Sequence, residues 1–289
     1  MGTTAPRCRP QAWTIVLPAC ARSRAELPND NAQALNRPSA QGRLQMQLPW
    51  RLAASLCLAA SCHGAATAQP VLRVAVYRGA AGCDDCSETA KEAIETMGSS
   101  YKVDFIGPKE ARDVTPATLR GYAIYVQPGG GQDIPAALRA MGDRRIAAIR
   151  DFVSRGGGYL GLCMGAYLAD RDNMGLIADE VDGEVGRPGF PVTTRDEGVV
   201  SVRWKGRLES MFFQDGPYFQ KSARRGFRAI ATYGNGDVAA ARYTFGRGIV
   251  VLSGPHPEAD KSWFEQAGIP LDRMPGTPVL RSLFDEFGR

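Results

Sequence analysis

Residues 157–167 read Gly-Gly-Tyr-Leu-Gly-Leu-Cys-Met-Gly-Ala-Tyr. The apolar run 159–162 is typical of a buried strand, and it leads directly into Cys163. Gly161 and Gly165 flank this cysteine, as small residues flank the nucleophile in the sharp turns that connect a strand to a helix. The stretch therefore predicts a strand, a tight turn with a thiol at its tip, and a helix.

Strand and helix patterns alternate on the amino-terminal side of this turn. Apolar runs predict strands at 71–77, 101–106 and 122–126. Amphipathic spacing and capping residues predict helices after Ser87, after Thr115 and over 143–155. Such alternation is typical of a parallel sheet with helices on both faces.

On the carboxyl-terminal side, strand patterns follow one another without long helices between them. These strands are predicted at 199–204, 227–233, 238–244 and 249–252, and a short helix at 279–287. Turn signals such as Gly-Asn-Gly-Asp at 234–237 favour hairpins. We therefore expect one α/β domain over residues 69–289, with a mostly parallel sheet and an antiparallel extension.

The first 68 residues do not resemble a folded domain. Residues 46–68 combine a positive start, a short apolar run and a small-x-small site before Gln69, which is typical of a secretory signal peptide. A lipoprotein signal ending at Cys62 is less favoured, because the usual leucine before the cysteine is missing. Residues 1–45 are interpreted as a mis-assigned extension or a disordered tail. We expect export to the periplasm or the medium.

The positive charge of the chain lies in this leader. Residues 1–68 hold seven of the 35 basic residues and two of the 30 acidic ones, so the remainder carries 28 of each. The net charge thus gives no argument for nucleic acid or an anionic membrane as partner. The apolar run of the leader is also too short to span a bilayer.

His256 is the single histidine of the predicted domain, because the only other one in the chain is His63. It stands two residues before Glu258 and follows the predicted strand 249–252. A thiol, a histidine that accepts its proton and a carboxylate that orients the histidine are the parts of nucleophilic catalysis. We predict Cys163 as nucleophile, His256 as base and Glu258 as orienting residue, with Asp260 as a weaker candidate for the last role.

Backbone N–H groups are predicted to hold the oxyanion of such a reaction. Met164 follows the nucleophile, and Gly130 or Gly131 lies in a glycine loop after the strand 122–126. Loops at the carboxyl ends of parallel strands meet at one edge of the sheet, so these residues are expected to converge. Residues 170–225 are expected to form a lid or pocket wall, in which Gln214 and Asp215, together with Tyr167, face the ligand.

Cys83 and Cys86 leave two interpretations open. A local disulfide is favoured if the domain is exported. The alternative is a metal site with three cysteines and one histidine, formed by Cys83, Cys86, Cys163 and His256, which is a ligand set that zinc accepts. With the disulfide, no metal or other cofactor is expected.

Several motifs together resemble a known family. They are Tyr-Arg-Gly at 77–79, Gln-Pro-Gly-Gly at 127–130, the stretch 157–167, Asp-Gly-Pro-Tyr-Phe at 215–219 and Gly-Pro-His-Pro-Glu at 254–258. The pattern is similar to the family named for the N-terminal domain of biotin–protein ligases, within the class I glutamine amidotransferase-like superfamily. The resemblance covers about residues 71–265 and implies a flavodoxin-like sheet with a Cys-His-Glu triad.

The resemblance does not imply biotin ligation, because no motif of a ligase catalytic domain follows in the sequence. Nor does it indicate a synthase partner that would accept ammonia. The leading hypothesis is a hydrolase of a small-molecule or peptide-like amide. The alternatives are a ligand- or partner-binding module without turnover, and the metal site described above.

Overall fold

The structure is a computed structural model that describes residues 71–276 and 279–288. The predicted extension and signal peptide, including Cys62, lie outside these residues. The described residues all belong to one of two units into which the chain divides, Gly64–Arg289. Within them, no helix has the length and apolar character needed to cross a bilayer.

Strands are the most numerous elements among the described residues. They are β1 (Leu72–Tyr77), β2 (Tyr101–Ile106), β3 (Ile124–Gln127), β4 (Gly158–Leu162), β5 (Val181–Gly183), β6 (Gly198–Trp204), β7 (Arg207–Phe213), β8 (Pro217–Phe219), β9 (Arg228–Tyr233), β10 (Val238–Phe245) and β11 (Gly248–Ser253). The helices are α1 (Cys86–Thr96), α2 (Pro116–Leu119), α3 (Ile134–Ser154), α4 (Met164–Leu168), α5 (Lys261–Gln266) and α6 (Val279–Phe284). Short 3-10 helices cover Leu271–Arg273 and Asp285–Phe287.

The strands form one mixed sheet in the order β2-β1-β3-β4-β11-β10-β9-β6-β7. The pairs from β2 to β11 are parallel, and those from β11 to β7 are antiparallel. Strands β5 and β8 lie outside this order: β8 pairs with β10 and with β5. The predicted α/β class, a parallel sheet with an antiparallel extension, is confirmed.

Apolar side chains are buried on both faces of the parallel strands. In β1, Ala75 and Tyr77 belong to the core that contains α3, whereas Val74 and Val76 belong to the core that contains α1 and α6. Successive residues of a strand point to opposite faces, so a strand with this burial requires helices on both sides.

The helix termini agree with the sequence in part. The side chain of Thr115 accepts a hydrogen bond from the Thr118 N–H at 3.1 Å, as predicted for a cap before Pro116. The prediction that Ser87 caps α1 was wrong. The helix already begins at Cys86, and the Ser87 hydroxyl donates a hydrogen bond to the Tyr77 carbonyl. Helix α3 also begins nine residues before the predicted start, and Gly142, with φ +70°, interrupts it.

A hairpin inside the expected lid region was not predicted. Strands β6 and β7 pair along their full length, and Lys205 and Gly206 connect them with φ values of +45° and +88°. Two positive φ values are typical of the tight turn that matches the twist of paired strands, but Asn-Gly is its usual sequence. The segment 170–225 thus adds edge strands to the sheet.

We expect α6 to stabilise the core that it shares with α1, and a substitution at Leu283 tests this. Its side chain is fully buried, so Leu283→Ala should lower the free energy of unfolding by about 2–5 kcal/mol. Leu208→Ala is the matched control, since that leucine is 69% exposed. Urea denaturation followed by circular dichroism measures both. Equal effects of the two substitutions would contradict this packing.

Candidate active site

Four loops with chemically active residues lie at one edge of the sheet. They follow β1, β3, β4 and β11, which are parallel neighbours. The loops contain the Cys83–Cys86 segment, the glycines 129–131, Cys163 and His256. The topology thus brings together residues that are up to 173 positions apart in the sequence.

Cys163 stands between β4 and α4 in a backbone conformation that L-residues rarely adopt, with φ +47° and ψ −107°. The turn depends on close backbone approaches at two glycines. A Cβ on Gly161 would lie 2.5 Å from the Gly165 carbonyl oxygen, and one on Gly165 would lie 2.2 Å from that of Gln127. The Cys163 N–H donates to the Ser253 carbonyl at 2.8 Å, which fixes the turn to β11.

His256 and Glu258 form a buried pair in the loop after β11. His256 Nδ1 lies 2.8 Å from Glu258 Oε1, and the two residues are 5% and 2% exposed. The backbone N–H of His256 donates to the Phe212 carbonyl at 2.9 Å, so the end of β7 helps to position the imidazole. A Cβ on Gly254 would lie 2.2 Å from the Pro217 carbonyl oxygen, which allows this loop to pack closely on β8.

Two neighbouring acidic side chains influence the charge of His256. Burial by itself favours the neutral imidazole, but the charges of Cys163 and Glu258, together with hydrogen bonds to both side chains, raise the pKa of His256 to about 10. Glu258 Oε1 is thus the hydrogen-bond partner of the imidazole, and the Cys163 side chain is close enough to influence its charge.

Aromatic rings surround this imidazole. The His256 ring makes edge-to-face contacts with Trp263 and Phe212, with centroid distances of 5.1 Å and 5.9 Å. Trp263 lies in the first turn of α5. Asp260 caps this helix, because its carboxylate accepts hydrogen bonds from the N–H groups of Ser262 and Trp263. The Asp260 carboxylate thus caps α5, and of the two predicted candidates it is Glu258 that contacts His256.

The three backbone positions predicted as oxyanion donors are close to the thiol. Met164 is the first residue of α4, so its N–H has no acceptor within the helix. Gly130 packs against Met164 and Gly82, and a Cβ there would lie 2.4 Å from the Met164 methyl carbon. Gly131 faces open space.

Cys83 and Cys86 form a disulfide in the loop before α1. The Cys83 N–H donates to the Gly129 carbonyl at 3.1 Å, and a Cβ on Gly129 would lie 3.3 Å from Cys86 Sγ and 2.9 Å from His256 Cε1. The disulfide therefore supports the glycine loop beside the imidazole. Because the two sulfurs are bonded to each other, they do not supply the ligands that the alternative metal site with Cys163 and His256 requires.

Two cavities meet at Cys163. The first, which we call the His256 cavity, measures about 290 Å³ and has His256, Trp263, Phe212 and the disulfide in its wall. The second, the Tyr167 cavity, measures about 350 Å³ and has Tyr167 and Met164 in its wall. Gly130, Cys163 and Gln214 line both, so a molecule that crosses the thiol can occupy both cavities.

The predicted ligand-facing residues lie in these walls. Tyr167 donates its hydroxyl proton to the Asp215 carbonyl at 3.1 Å, and the Asp215 carboxylate lies 3.4 Å from the Arg195 guanidinium. Burial raises the pKa of Asp215, and Arg195 opposes this shift. The carbonyl of Gln214 accepts a hydrogen bond from the Cys163 thiol at 3.4 Å.

Several wall residues were not found from the sequence. Phe212 belongs to the unpredicted strand β7, Trp263 to the unpredicted helix α5, and Arg195 and Glu197 to a segment without regular structure before β6. The Asp-x-x-Trp spacing at 260–263 would have signalled a helix cap followed by an apolar residue. No local pattern marks Arg195 or Glu197.

Comparison with known proteins agrees with this architecture. Residues 72–188 match the family model described as "Biotin-protein ligase, N terminal". The matched segment covers less than half of the chain. It includes Cys163 and the glycine loop, whereas His256 and Glu258 lie beyond the matched residues. The predicted family resemblance is confirmed over this segment. A search of curated proteins found no match.

Two solved structures have a similar fold. One, titled "Crystal structure of glutamine amidotransferase", is 19% identical with a TM-score of 0.52, and the match covers 75% of this chain and 99% of that chain. The other, PurLQS from Thermotoga maritima, is 17% identical with a TM-score of 0.52, and the match covers 74% and 98%. At these identities the likeness shows the fold alone, which is that of the glutamine amidotransferases.

The contact of Gly129 with His256 predicts a strong steric effect. Gly129→Ala should push the imidazole away from Cys163 and slow alkylation of the thiol by iodoacetamide at pH 7 by about 10²-fold, since a displacement of about 1 Å suffices for such a loss. Gly131→Ala is the matched control, because its Cβ would meet no atom within 4 Å. Equal alkylation rates in the two variants would contradict the contact.

The charge environment predicts the titration of His256. Because its pKa is raised from 6.5 to about 10, the imidazolium stabilises the fold fully below pH 6.5, and this contribution is lost as the pH rises through about 10. Removing either acidic side chain, in Cys163→Ala or Glu258→Gln, should lower the pKa of His256. NMR of ring-labelled histidine measures it. A wild-type pKa near 6.5 that neither substitution changes would contradict the assignment.

Proposed function

We propose that this protein is an exported cysteine hydrolase that cleaves an amide or peptide-like bond. The observation that carries the proposal is the thiol of Cys163 on a strained turn, next to a buried imidazole that Glu258 orients. Cys163 is the nucleophile, His256 the general acid and base, and Glu258 the residue that holds Nδ1.

The reaction follows from these positions. The Cys163 thiolate attacks the carbonyl carbon of the amide, and the N–H groups of Met164 and Gly130 stabilise the oxyanion, with Gly131 as the neighbouring donor. The imidazolium of His256 gives its proton to the leaving nitrogen as the C–N bond breaks. Water, deprotonated by His256, then attacks the thioester, so that a carboxylic acid is released and the thiolate is restored.

Export is supported by two observations. Residues 46–68 have the pattern of a signal peptide, although they lie outside the described residues. The Cys83–Cys86 disulfide is also of the kind that persists in an oxidising compartment. Together they favour the periplasm or the medium, and a lipid anchor at Cys62 is less favoured because the usual leucine before that cysteine is missing.

The reaction proposed is hydrolysis, in which water accepts the acyl group. Ammonia transfer would require a synthase, and the sequence gives no sign of such a partner. Biotin ligation is not proposed either, since the site offers a thiol with an acid–base pair and the sequence has no biotinyl-adenylate loop. Residues that face the substrate include Tyr167, Gln214 and Asp215 in the cavity walls.

One contact favours a second candidate function, a binding module without turnover. The Cys163 sulfur lies 3.4 Å from the Gln214 carbonyl oxygen, which suits a neutral S–H donor rather than a thiolate. A protein in that state would bind its ligand across the two cavities and leave it intact.

Turnover distinguishes the two candidates. We expect the mature protein to release amines from a panel of glutamine, γ-glutamyl amides, N-acyl amino acids and dipeptides, measured by liquid chromatography and mass spectrometry. Cys163→Ala should abolish this release while its circular dichroism spectrum stays unchanged. Equal release by wild type and Cys163→Ala would contradict the role given to Cys163, whereas no release by either protein alongside ligand-induced stabilisation would favour the binding module.

Glu258 has a matched control two residues away. Glu258→Gln should lower kcat by about 10²–10⁴-fold, because a neutral amide no longer stabilises the imidazolium. Asp260→Asn should keep the activity and lose at most about 1 kcal/mol of stability, since it affects the cap of α5. Comparable losses of kcat in both variants would contradict the role given to Glu258.

A further inference from the structure

The two cavities at Cys163 differ in which catalytic group they contain. His256 lines the His256 cavity, whereas Met164 and Gly131 line the Tyr167 cavity. The general acid must reach the leaving nitrogen, and the oxyanion donors must reach the carbonyl oxygen. A substrate that crosses Cys163 therefore has its leaving amine in the His256 cavity and its acyl group in the Tyr167 cavity.

The size of the His256 cavity indicates a leaving group larger than ammonia. Its volume is about 290 Å³, whereas one water molecule in the liquid takes up roughly 30 Å³. Ammonia is about the size of water and would leave most of this space to solvent. An amine with several further heavy atoms fits better.

Besides His256, the charged side chains around this cavity are acidic. Asp84, Asp85 and Glu197 contribute to its wall, and none of the ion pairs among the described residues involves them. Its described lining includes no lysine or arginine. The Tyr167 cavity differs, because Arg195 lies in its wall.

Aromatic and polar groups complete the wall of the His256 cavity. Phe212 and Trp263 line it, and aromatic rings beside carboxylates are a favourable environment for an organic cation. The Trp263 side chain is only 8% exposed, so the packing around it fixes the position of its ring in the wall.

We propose that the substrate is an amide whose leaving amine carries a second, cationic nitrogen, as in an N-acylated diamine or a basic amino-acid amide. The inference rests on the proposed hydrolase. In the reaction the bond from Cys163 Sγ to the carbonyl carbon forms, the C–N bond breaks, and the His256 proton goes to the departing nitrogen. Water then hydrolyses the thioester, so amide and water yield acid and diamine.

Matched alkylating reagents test the charge preference without knowledge of the acyl group. One chloroacetamide carries a 2-(trimethylammonio)ethyl group on nitrogen, and the other carries its neutral isostere, 3,3-dimethylbutyl. Each reacts by forming an Sγ–carbon bond at Cys163 and releasing chloride. Rates measured by intact-protein mass spectrometry are divided by those of N-acetylcysteine, which removes the difference in intrinsic reactivity.

We expect the normalised rate ratio, cation over isostere, to be about ten at low salt, since each partly screened carboxylate contributes about a twofold preference. Added salt should reduce it. The ratio should approach one in the triple variant Asp84→Asn, Asp85→Asn and Glu197→Gln. It should persist in the control triple Asp143→Asn, Asp272→Asn and Asp285→Asn, which removes the same charge from exposed sites outside both cavities.

The outcomes separate this inference from the proposed function. A wild-type ratio near or below one, or a ratio that survives in the cavity triple, overturns the cationic leaving group. The absolute rate of the neutral reagent reports on the thiol itself. If Cys163 reacts with it no faster than N-acetylcysteine does, the hydrolase is contradicted, while the ratio still shows whether the cavity selects cations.

Discussion

The tight turn at Cys163 is the constraint on which the rest of the site depends. A non-glycine residue with φ +47° and ψ −107° costs on the order of 1–3 kcal/mol, so the surrounding structure must enforce it. Gly161 and Gly165 permit the necessary backbone approaches, and the hydrogen bond from Cys163 to Ser253 holds the turn to β11. Because β4 lies between β3 and β11, the same turn brings the thiol to the glycine loop on one side and to His256 on the other.

Burial of charge connects the catalytic pair to the stability of the fold. Glu258 is 2% exposed, and only one of its two oxygens has a partner among the described residues. Removing the partner of such a group leaves an uncompensated buried charge, which costs about 3–5 kcal/mol. The charge of the imidazole is thus coupled to the stability of the fold through Glu258. Phe212 and Trp263 pack their rings against the imidazole, which lowers the local dielectric and strengthens the interaction.

Residue types and periodicity were sufficient to predict the parallel half of the sheet, because its strands and helices follow local patterns. The position of Cys163, His256 and Glu258 at one edge could be predicted as well, because it follows from the general topology of parallel sheets. They failed where tertiary contacts decide. Ser87 has the residue type of a helix cap, but its hydroxyl donates a hydrogen bond to the nearby Tyr77 carbonyl instead. The Lys205–Gly206 turn lacks the usual hairpin sequence, so β7 was missed, and with it Phe212. Glu197 enters the cavity wall through a segment whose position no local pattern encodes.

The central claim is that Cys163 and His256 form a thiolate–imidazolium pair. The most direct test is the rate of alkylation of Cys163 by iodoacetamide as a function of pH, in wild type and in His256→Ala. The account predicts fast labelling below pH 7 in wild type and a shift to the profile of an ordinary thiol, with its pKa near 8.5, in the variant. Slow labelling with the same pH profile in both proteins would mean a resting thiol and would contradict the account.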